Sequence, residues 1–218
     1  MSNNSAPNPS RPRKLRADAE ANLDRIIDVA EAVFAEHGLD ASIDLVAKRA
    51  GVGLGTIYRR FANKDALVAE LIDRLLAETI AIAERHLHDT HGDGLTRYLY
   101  EVCELLSTKR GALARLWSDA ANGPMITRSR EVQQQLVANA HRHGAIRADL
   151  TGEDVAVALW SIHGILDVTR GSTVNAWRRQ LDLLLLGFAD NTAIPTHPLT
   201  PAAMTAIITN KSDRGNAR

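Results

Sequence analysis

Apolar residues recur along most of the chain with the spacing of one face of an α-helix. The clearest case is Leu23, Ile26, Ile27, Ala30 and Phe34, which follow the i, i+3, i+4, i+7 pattern. Later segments with helical patterns, separated by turn residues, run at about 95–108, 112–121, 125–142, 151–169 and 174–190. No stretch of six or more residues alternates apolar and polar positions between turn signals, as a half-buried strand would. The sequence therefore predicts an all-α fold of about nine helices.

The segment that begins at Ser42 differs from the rest because its helices are short. Ser42 is a favourable N-cap for a helix of about two turns, and Asn63 can cap a longer helix further on. Gly51 lies where the chain must reverse, and a positive φ is free of steric penalty only for glycine. Ala47 before this turn and Ile57 after it let two helices cross closely. The spacing predicts a helix-turn-helix, although a helical hairpin in a bundle has a similar pattern.

Charge is unevenly distributed along the 218 residues, although the net charge is zero. Residues 1–64 contain ten Lys/Arg and eight Asp/Glu, whereas residues 65–218 contain sixteen and eighteen. Residues 1–17 and 45–64 carry no acidic side chain. The basic side chains of these two stretches are Arg11, Arg13, Lys14, Arg16, Lys48, Arg49, Arg59, Arg60 and Lys64. Local basic patches on a neutral protein are typical of a small DNA-reading module, although a solvated basic face would look the same.

The segment from Arg25 to Leu71 resembles the DNA-binding domain of the TetR family of bacterial regulators. The matching residues are Ile27, Ala30, Phe34, Gly38, Ala47, Ala50-Gly51-Val52, Gly55-Thr56-Ile57-Tyr58, Phe61, Lys64 and Leu67. One departure is Gly53, where many members have serine, and glycine is still a tolerated N-cap. Beyond Leu71 the chain resembles the family only in length, helix pattern and motifs such as Gly144-Ala145-Ile146-Arg147.

This resemblance implies a DNA-binding transcriptional regulator that acts on a double-stranded operator as a homodimer. By family habit it would be a repressor that a small-molecule ligand releases from the operator. A regulator without a ligand response is the alternative. Neither a cofactor nor a metal ion is expected.

The resemblance also implies which residues contact DNA. They are Lys48, Gly55, Thr56, Tyr58, Arg59, Arg60 and Lys64. Because Gly55 has no side chain, the helix backbone there can approach DNA closely. The hydroxyls of Thr56 and Tyr58 resemble the family's phosphate and base-edge contacts. Lys64 resembles its phosphate clamp, where a helix N-terminus adds to the positive charge.

Arg59 and Arg60 are the pair expected to decide sequence preference. Bidentate pairing of arginine with guanine is the commonest specific base contact, and we expect Arg59 to make it and Arg60 to reach a phosphate. A rotation of the helix by a few tens of degrees would exchange the two roles. Lys48 and Arg49 are expected to hold the DNA backbone, whereas the apolar residues of this segment are expected to be core. These core residues are Val46, Ile57 and Phe61.

Four parts of the chain are predicted from these patterns. They are a flexible basic arm at 1–18, a helix-turn-helix DNA-binding domain at 19–66, a helical ligand-binding and dimerisation domain at 67–190, and a mostly disordered tail at 191–218. The arm can reach an adjacent minor groove, or it is only a solubilising tail.

Dimerisation is assigned to the last two helices, which carry apolar residues on more than one side. The residues predicted at the subunit interface are Leu159, Ile162, Leu166, Leu181, Leu184 and Phe188. The resemblance implies a four-helix bundle between two subunits here. A purely internal core is the alternative.

A ligand site is predicted among aromatic, soft and polar residues of the middle helices, because helix bundles host such cavities. The candidates are Tyr98, Cys103, Trp117, Met125, Trp160, His163 and Asp167. Of these, Trp160, His163 and Asp167 share one helix face. A lone histidine on such a face is more often a satisfied core residue than a ligand contact.

Two rival functions compete with this prediction. Cys103, His163 and Asp167 could form the nucleophile, base and orienting group of a hydrolase, but nothing else in the sequence supports an enzyme. A non-specific nucleoid protein is disfavoured by the zero net charge. No apolar run approaches the roughly 18–20 residues needed to span a bilayer, and Met1 to Ser10 is polar, so the expected location is the cytoplasm.

Overall fold

The computed structural model of the protein describes residues 11–109, 123–169, 175–192, 194 and 196–207, with side chains from Glu20 onward. These parts of the chain are helical and contain no strand, which confirms the all-α prediction. The helices are α1 (Arg11–His37), α2 (Ile43–Ala50), α3 (Leu54–Arg60), α4 (Lys64–His86), α5 (Gly94–Thr108), α6 (Pro124–Arg142), α7 (Gly152–Val168) and α8 (Ala176–Ala189). Residues 201–207 are also helical. The helix predicted at 112–121 lies outside the described residues.

Side-chain caps fix the starts of three helices, two of them at the predicted residues Ser42 and Asn63. The Ser42 hydroxyl accepts a hydrogen bond from the backbone N–H of Leu45, and the Asn63 side chain accepts one from Ala66 at 2.8 Å. Thr151 opens α7 with a capping box, in which its backbone N–H donates to the Asp154 carboxylate at 2.9 Å. Each cap satisfies amides that the first helical turn leaves without a partner, so the breaks between helices are encoded locally.

The first helix begins earlier than the predicted arm allows. The backbone is helical from Arg11, so part of the stretch expected to be a flexible arm, residues 1–18, belongs to α1. Residues 1–10 lie outside the described residues. A minor-groove contact by the basic side chains of this stretch stays a prediction.

Helix α4 belongs to both halves of the molecule. It packs against α1 of the first half and against α5 and α6 of the second, and Leu67, Leu71, Leu75 and Ala83 along it are buried. The helix is continuous across the predicted boundary at residue 66, because nothing between Lys64 and His86 interrupts its apolar stripe. The two halves are therefore joined by a rigid element.

The second domain is a bundle in which α7 and α8 pack on each other and on α5. Arg147 ties the loop before α7 to the end of α8. Its guanidinium forms an ion pair with Asp149 at 2.5 Å and donates to the carbonyl oxygens of Asp190 at 3.1 Å and Thr192 at 3.0 Å. Only 8% of the Arg147 side chain is exposed, so these bonds satisfy a buried cation.

The C-terminal segment differs from the predicted disordered tail at 191–218. Residues 201–207 form a short helix that begins with the Thr200 hydroxyl accepting from the backbone N–H of Ala203 at 3.2 Å. Met204 in this helix is 7% exposed and packs into the second domain. The prolines and polar residues of the segment predict disorder, and one buried methionine among them does not change that prediction.

No helix in the described ranges is long and apolar enough to cross a membrane.

Candidate DNA-binding surface and ligand cavity

A left-handed glycine sets the angle between α2 and α3. Gly51 ends α2 with φ +65°, as the sequence predicts, and the backbone N–H of Val52 donates to the carbonyl of Ala47 at 3.1 Å. Val46 and Ile57, one on each helix, are fully buried. The turn and this apolar contact fix the direction of α3 relative to the rest of the domain.

Helix α3 has one buried residue and an exposed polar face. Ile57 anchors it, whereas Gly55, Tyr58, Arg59 and Arg60 face solvent, and Tyr58 is 48% exposed. A Cβ atom added at Gly55 would have no heavy atom within 4 Å. The helix therefore exposes its backbone at Gly55, beside the hydroxyl of Tyr58 and the guanidinium groups of the two arginines.

Arg59 is oriented by its neighbour on the same face. Its Nη2 atom donates to the hydroxyl oxygen of Thr56 at 3.2 Å. Because Thr56 and Arg59 are three residues apart, a helix places them on one face, and this contact agrees with that spacing. The assignment of base reading to Arg59 and of phosphate binding to Arg60 stays a prediction.

The two basic residues at the end of α2 have different environments. Lys48 is exposed, whereas Arg49 forms an ion pair with Glu36 and lies 3.1 Å from the Nε2 atom of His37. The hydrogen bond from Arg49 lowers the pKa of the Glu36 carboxyl. Arg49 is thus tied to α1 although it is exposed, whereas Lys48 is exposed and forms no ion pair with a described residue.

Lys64 lies at the first position of α4, beside the Asn63 cap. Its ammonium nitrogen is 5.8 Å from the centre of the Phe34 ring, and the side chain is half-buried. A cation at a helix N-terminus is unfavourable by itself, because the helix dipole is positive there. An anion such as a phosphate would be attracted by both the lysine and the helix end.

The second domain encloses a cavity between α4, α5, α6 and α7, closed on one side by the C-terminal segment. The cavity itself has a volume of about 100 Å³, and its open mouth is continuous with solvent. Its walls are mainly apolar, with a few polar groups. The lining residues are Leu76, Thr79, Tyr98, Val102, Leu106, Ile126, Ser129, Arg130, Gln133, Ala156, Leu159, Trp160 and Met204.

Only two of the seven predicted ligand residues, Tyr98 and Trp160, line this cavity. Cys103 is fully buried outside the lining, and Met125 packs partly buried against the core. His163 is half-buried and Asp167 is exposed, both away from the lining, and Trp117 lies outside the described residues. Of the three residues on this face of α7, Trp160 lines the cavity. His163 and Asp167 lie further along the helix and outside the cavity lining.

Sequence analysis missed the polar stripe that α6 contributes. Ile126, Ser129, Arg130 and Gln133 follow i, i+3, i+4 and i+7, so they face the cavity together. The sequence does contain a signal for this stripe, because polar residues there interrupt the apolar face of a helix.

Gln133 is 9% exposed and forms a hydrogen bond with the Tyr98 hydroxyl. Burial raises the pKa of Tyr98 to about 12, so the phenol stays neutral.

The environment of Cys103 opposes a role as nucleophile. The thiol is fully buried, and burial raises its pKa to about 12. A nucleophilic cysteine needs access and a stabilised thiolate, and this site provides neither. In the part of the chain that the structure describes, no group of three or more potential ligands could hold a metal ion.

The predicted dimerisation residues mostly face the interior of the subunit. Leu159, Ile162, Leu166 and Leu181 are at most 5% exposed in the single chain, because α7 and α8 use these faces to pack on each other and on α5. Phe188 is also buried, and Leu184 is half-buried. Four of the six predicted interface residues, the leucines and the isoleucine named above, therefore belong to the subunit core. This is the alternative in which the apolar faces form a purely internal core.

The outer faces of α7 and α8 carry small and apolar residues that the fold leaves exposed. They are Ser161, Gly164 and Val168 on α7, and Leu183, Leu186 and Gly187 on α8. Val168 is 87% and Leu186 is 66% exposed. Small residues permit close approach of another helix, and exposed leucines are unfavourable in water.

A basic recognition helix on a buried anchor, joined by one continuous helix to a domain with a cavity, defines a helix-turn-helix protein with a second helical domain. Residues 26–71 match the family model for bacterial regulatory proteins of the tetR family. The crystal structure of a TetR transcriptional regulator from Streptomyces coelicolor is 30% identical over 78% of this chain and 99% of that one, with a TM-score of 0.54. The chain belongs to the TetR family.

Two further relatives show how far the likeness extends. The TetR transcription regulatory protein from Mycobacterium vanbaalenii is 28% identical over 80% of this chain and 98% of that one, with a TM-score of 0.57. An HTH-type transcriptional regulator of Staphylococcus aureus is 36% identical over 80 residues. That match covers 36% of this chain and 43% of the relative, so the chain spans less than half the length of this curated protein.

Proposed function

We propose that the protein is a homodimeric transcriptional repressor that a small molecule releases from a double-stranded operator. The observation that carries the proposal is the course of α4. Lys64 at its start belongs to the basic surface, and Leu76 and Thr79 further along line the cavity. Residues 64 and 76 are separated by about 18 Å along the helix axis at 1.5 Å per residue. A rigid helix of this length transmits a displacement at the cavity to the basic surface.

The solvent-facing groups of α3 and the start of α4 support operator binding. Thr56, Tyr58 and Arg59 would contact base edges and phosphates in the major groove, with Arg60, Lys48 and Lys64 on phosphates. A helix-turn-helix covers one half-site, and a dimer engages two related by a two-fold axis.

The exposed faces of α7 and α8 support the dimer. In a two-fold contact each residue meets the same patch of its partner, so a compact apolar face is sufficient on one chain. Leu183 and Leu186 would be covered by this contact, whereas the buried residues Leu159 and Leu181 would hold the subunit together.

A second link between the domains supports coupling to the ligand. Arg74 in the middle of α4 forms ion pairs with Asp24 of α1 at 2.9 Å and with Glu70 at 3.2 Å. Because the Arg74–Asp24 pair crosses from α4 to α1, movement of α4 would carry the DNA-binding domain with it.

Nuclease protection of the DNA that flanks the gene tests operator binding. We expect protection of a near-palindromic site whose half-sites are separated by about one or more helical turns. Protection without sequence preference would contradict the proposal. A protected site whose affinity is unaffected by every bound compound would instead indicate a regulator without a ligand response.

A further inference from the structure

The polar atoms of the cavity lie mainly on one helix, α6. Ser129, Arg130 and Gln133 face the cavity from consecutive turns, and the other walls are largely aliphatic or aromatic. Thr79 is an exception, but its hydroxyl already donates to the carbonyl of Leu76 at 2.9 Å. The cavity is therefore polarised, with a polar α6 side facing an apolar one.

Arg130 is the charged residue of the lining, and no described residue neutralises it. Two positions earlier, Arg128 forms ion pairs with Glu84 at 2.7 Å and Glu131 at 3.5 Å. In contrast, no Asp or Glu lines the cavity in the described parts of the chain, and Arg130 forms no ion pair there. The side chain is exposed at the open side, so its charge carries no burial penalty while the cavity is empty.

The polar pair deeper in the cavity, Tyr98 and Gln133, carries no charge. Tyr98 and Gln133 bind each other and are both buried. The phenol is neutral, so this end of the cavity adds no charge that would attract a cation. The electrostatic preference of the cavity is consequently set by Arg130 alone among the described lining residues.

We propose that the cavity takes an amphipathic organic anion, with its acidic group at Arg130 and Ser129 and its hydrocarbon body against the apolar walls of α5 and α7. Arginine offers two parallel N–H donors that match the two oxygens of a carboxylate. The apolar lining, which includes Val102, Leu106 and Trp160, removes the hydrocarbon from water. This inference rests on the proposed ligand-responsive function.

Direct binding of three compounds with the same ten-carbon chain tests the ligand class. Isothermal calorimetry with decanoate, decanol and decylamine, on the full chain without DNA, changes only the head group. We expect decanoate to bind about tenfold more tightly than decanol, the effect of one charge-assisted hydrogen bond, and decylamine to bind most weakly.

Two arginine variants separated by one residue identify the group responsible. Arg130→Met should reduce the preference for decanoate over decanol to about onefold, because the methionine keeps an apolar stem without the charge. Arg128→Met is the matched control, because Arg128 has carboxylate partners and does not line the cavity. It should retain the tenfold preference. Thermal unfolding of both variants checks that each is folded.

Three results would overturn the ligand class: equal binding of decanoate and decanol, a preference that survives in Arg130→Met, or no binding of any ten-carbon compound. Operator affinity is measured separately by fluorescence anisotropy. Release of the operator by a compound without an acidic group would reject this inference and leave the proposed function standing. Binding of decanoate with an Arg130-dependent preference but no change in operator affinity would support the ligand class and reject release by ligand.

Discussion

The two domains differ in where their polar side chains lie, on the outer surface in one and along a cavity in the other. In the N-terminal domain the basic groups of α3 point outward from a single buried anchor, Ile57. In the second domain the polar stripe of α6 lines a cavity, with Gln133 buried inside it and Arg130 exposed at its open side. A convex polar surface suits a large charged partner such as DNA, whereas a concave, mostly apolar site suits a small molecule. The proposed function assigns DNA to the outward surface and a small molecule to the cavity.

Helix α4 is the element on which the comparison depends, because it contributes to both sites. Its first residue lies at the outward basic surface, and Leu76 and Thr79, more than three turns later, line the cavity. Changes confined to one site should leave the other intact unless they act through this helix. The following substitutions test that separation, from the largest expected effect to the smallest.

The largest effect is expected at the outer face of α8. Leu183→Glu replaces a leucine that is 47% exposed in the single chain, so the subunit should still fold. In a two-fold interface the substitution would bury unpaired carboxylates, at a cost of several kcal/mol. We expect a folded monomer by light scattering, with loss of operator binding.

Ile207→Glu is the control for this change, because Ile207 is 44% exposed and lies outside α7 and α8. It should leave the dimer intact. A Leu183→Glu protein that remains dimeric would place the interface elsewhere.

By contrast, Leu181→Ala should lower the free energy of unfolding by about 2–5 kcal/mol, since Leu181 is 1% exposed within the subunit.

The next effect concerns base reading by α3. Arg59→Ala should weaken operator binding by about 1–3 kcal/mol per half-site and relax the preference at one base pair in each half. Arg60→Ala should weaken binding without changing the preferred sequence. Selection from randomised operators distinguishes the two. Relaxation by Arg60→Ala alone would show that the arginines have exchanged roles, and relaxation by neither would assign specificity to Thr56, Tyr58 or DNA shape.

A smaller and less specific effect is expected at Lys64. Lys64→Met keeps an apolar stem over Phe34 and removes the charge, so it should weaken binding to all DNA sequences alike. The slope of log affinity against log salt should fall by about one for each phosphate that the lysine no longer neutralises. Titrations of operator and random DNA at several salt concentrations measure both effects. Weaker binding to the operator alone would make Lys64 a base reader.

The N-terminal domain was predictable from sequence because its determinants are local. The Ser42 and Asn63 caps act within three residues, and the Gly51 turn and the Ile57 anchor belong to one short segment. The second domain depends on contacts between helices far apart in sequence. Its helices could be located by periodicity, but the face each one turns inward depends on its neighbours.

Particular residues of the second domain show this limit. Leu159 and Leu181 lie on faces that periodicity marks as apolar, but it cannot distinguish a subunit core from a dimer interface. Asp167 shares a helix face with Trp160, yet it lies seven residues away and outside the cavity. Met204 closes the cavity from a segment rich in proline, where one buried methionine gives no periodic signal.

The smallest effect in the free protein is expected at Gly55. Gly55→Ala adds a methyl group that would meet no heavy atom within 4 Å, and it improves the helix propensity of α3. The free energy of unfolding should therefore rise, by up to about 1 kcal/mol.

Operator affinity should change in the opposite direction. If the α3 backbone lies against DNA at this position, the added methyl group is an overpacked contact that costs about 1 kcal/mol, the low end of the usual range. Chemical unfolding measures the first quantity and fluorescence anisotropy the second. Gly152→Ala, at the first position of α7, is the control, because its added atom would make only an ordinary 3.5 Å contact with the Gln134 side chain. It should leave operator affinity unchanged. A Gly55→Ala protein with unchanged operator affinity would show that the backbone of α3 does not approach DNA at this position, and that the exposed face is read through its side chains alone.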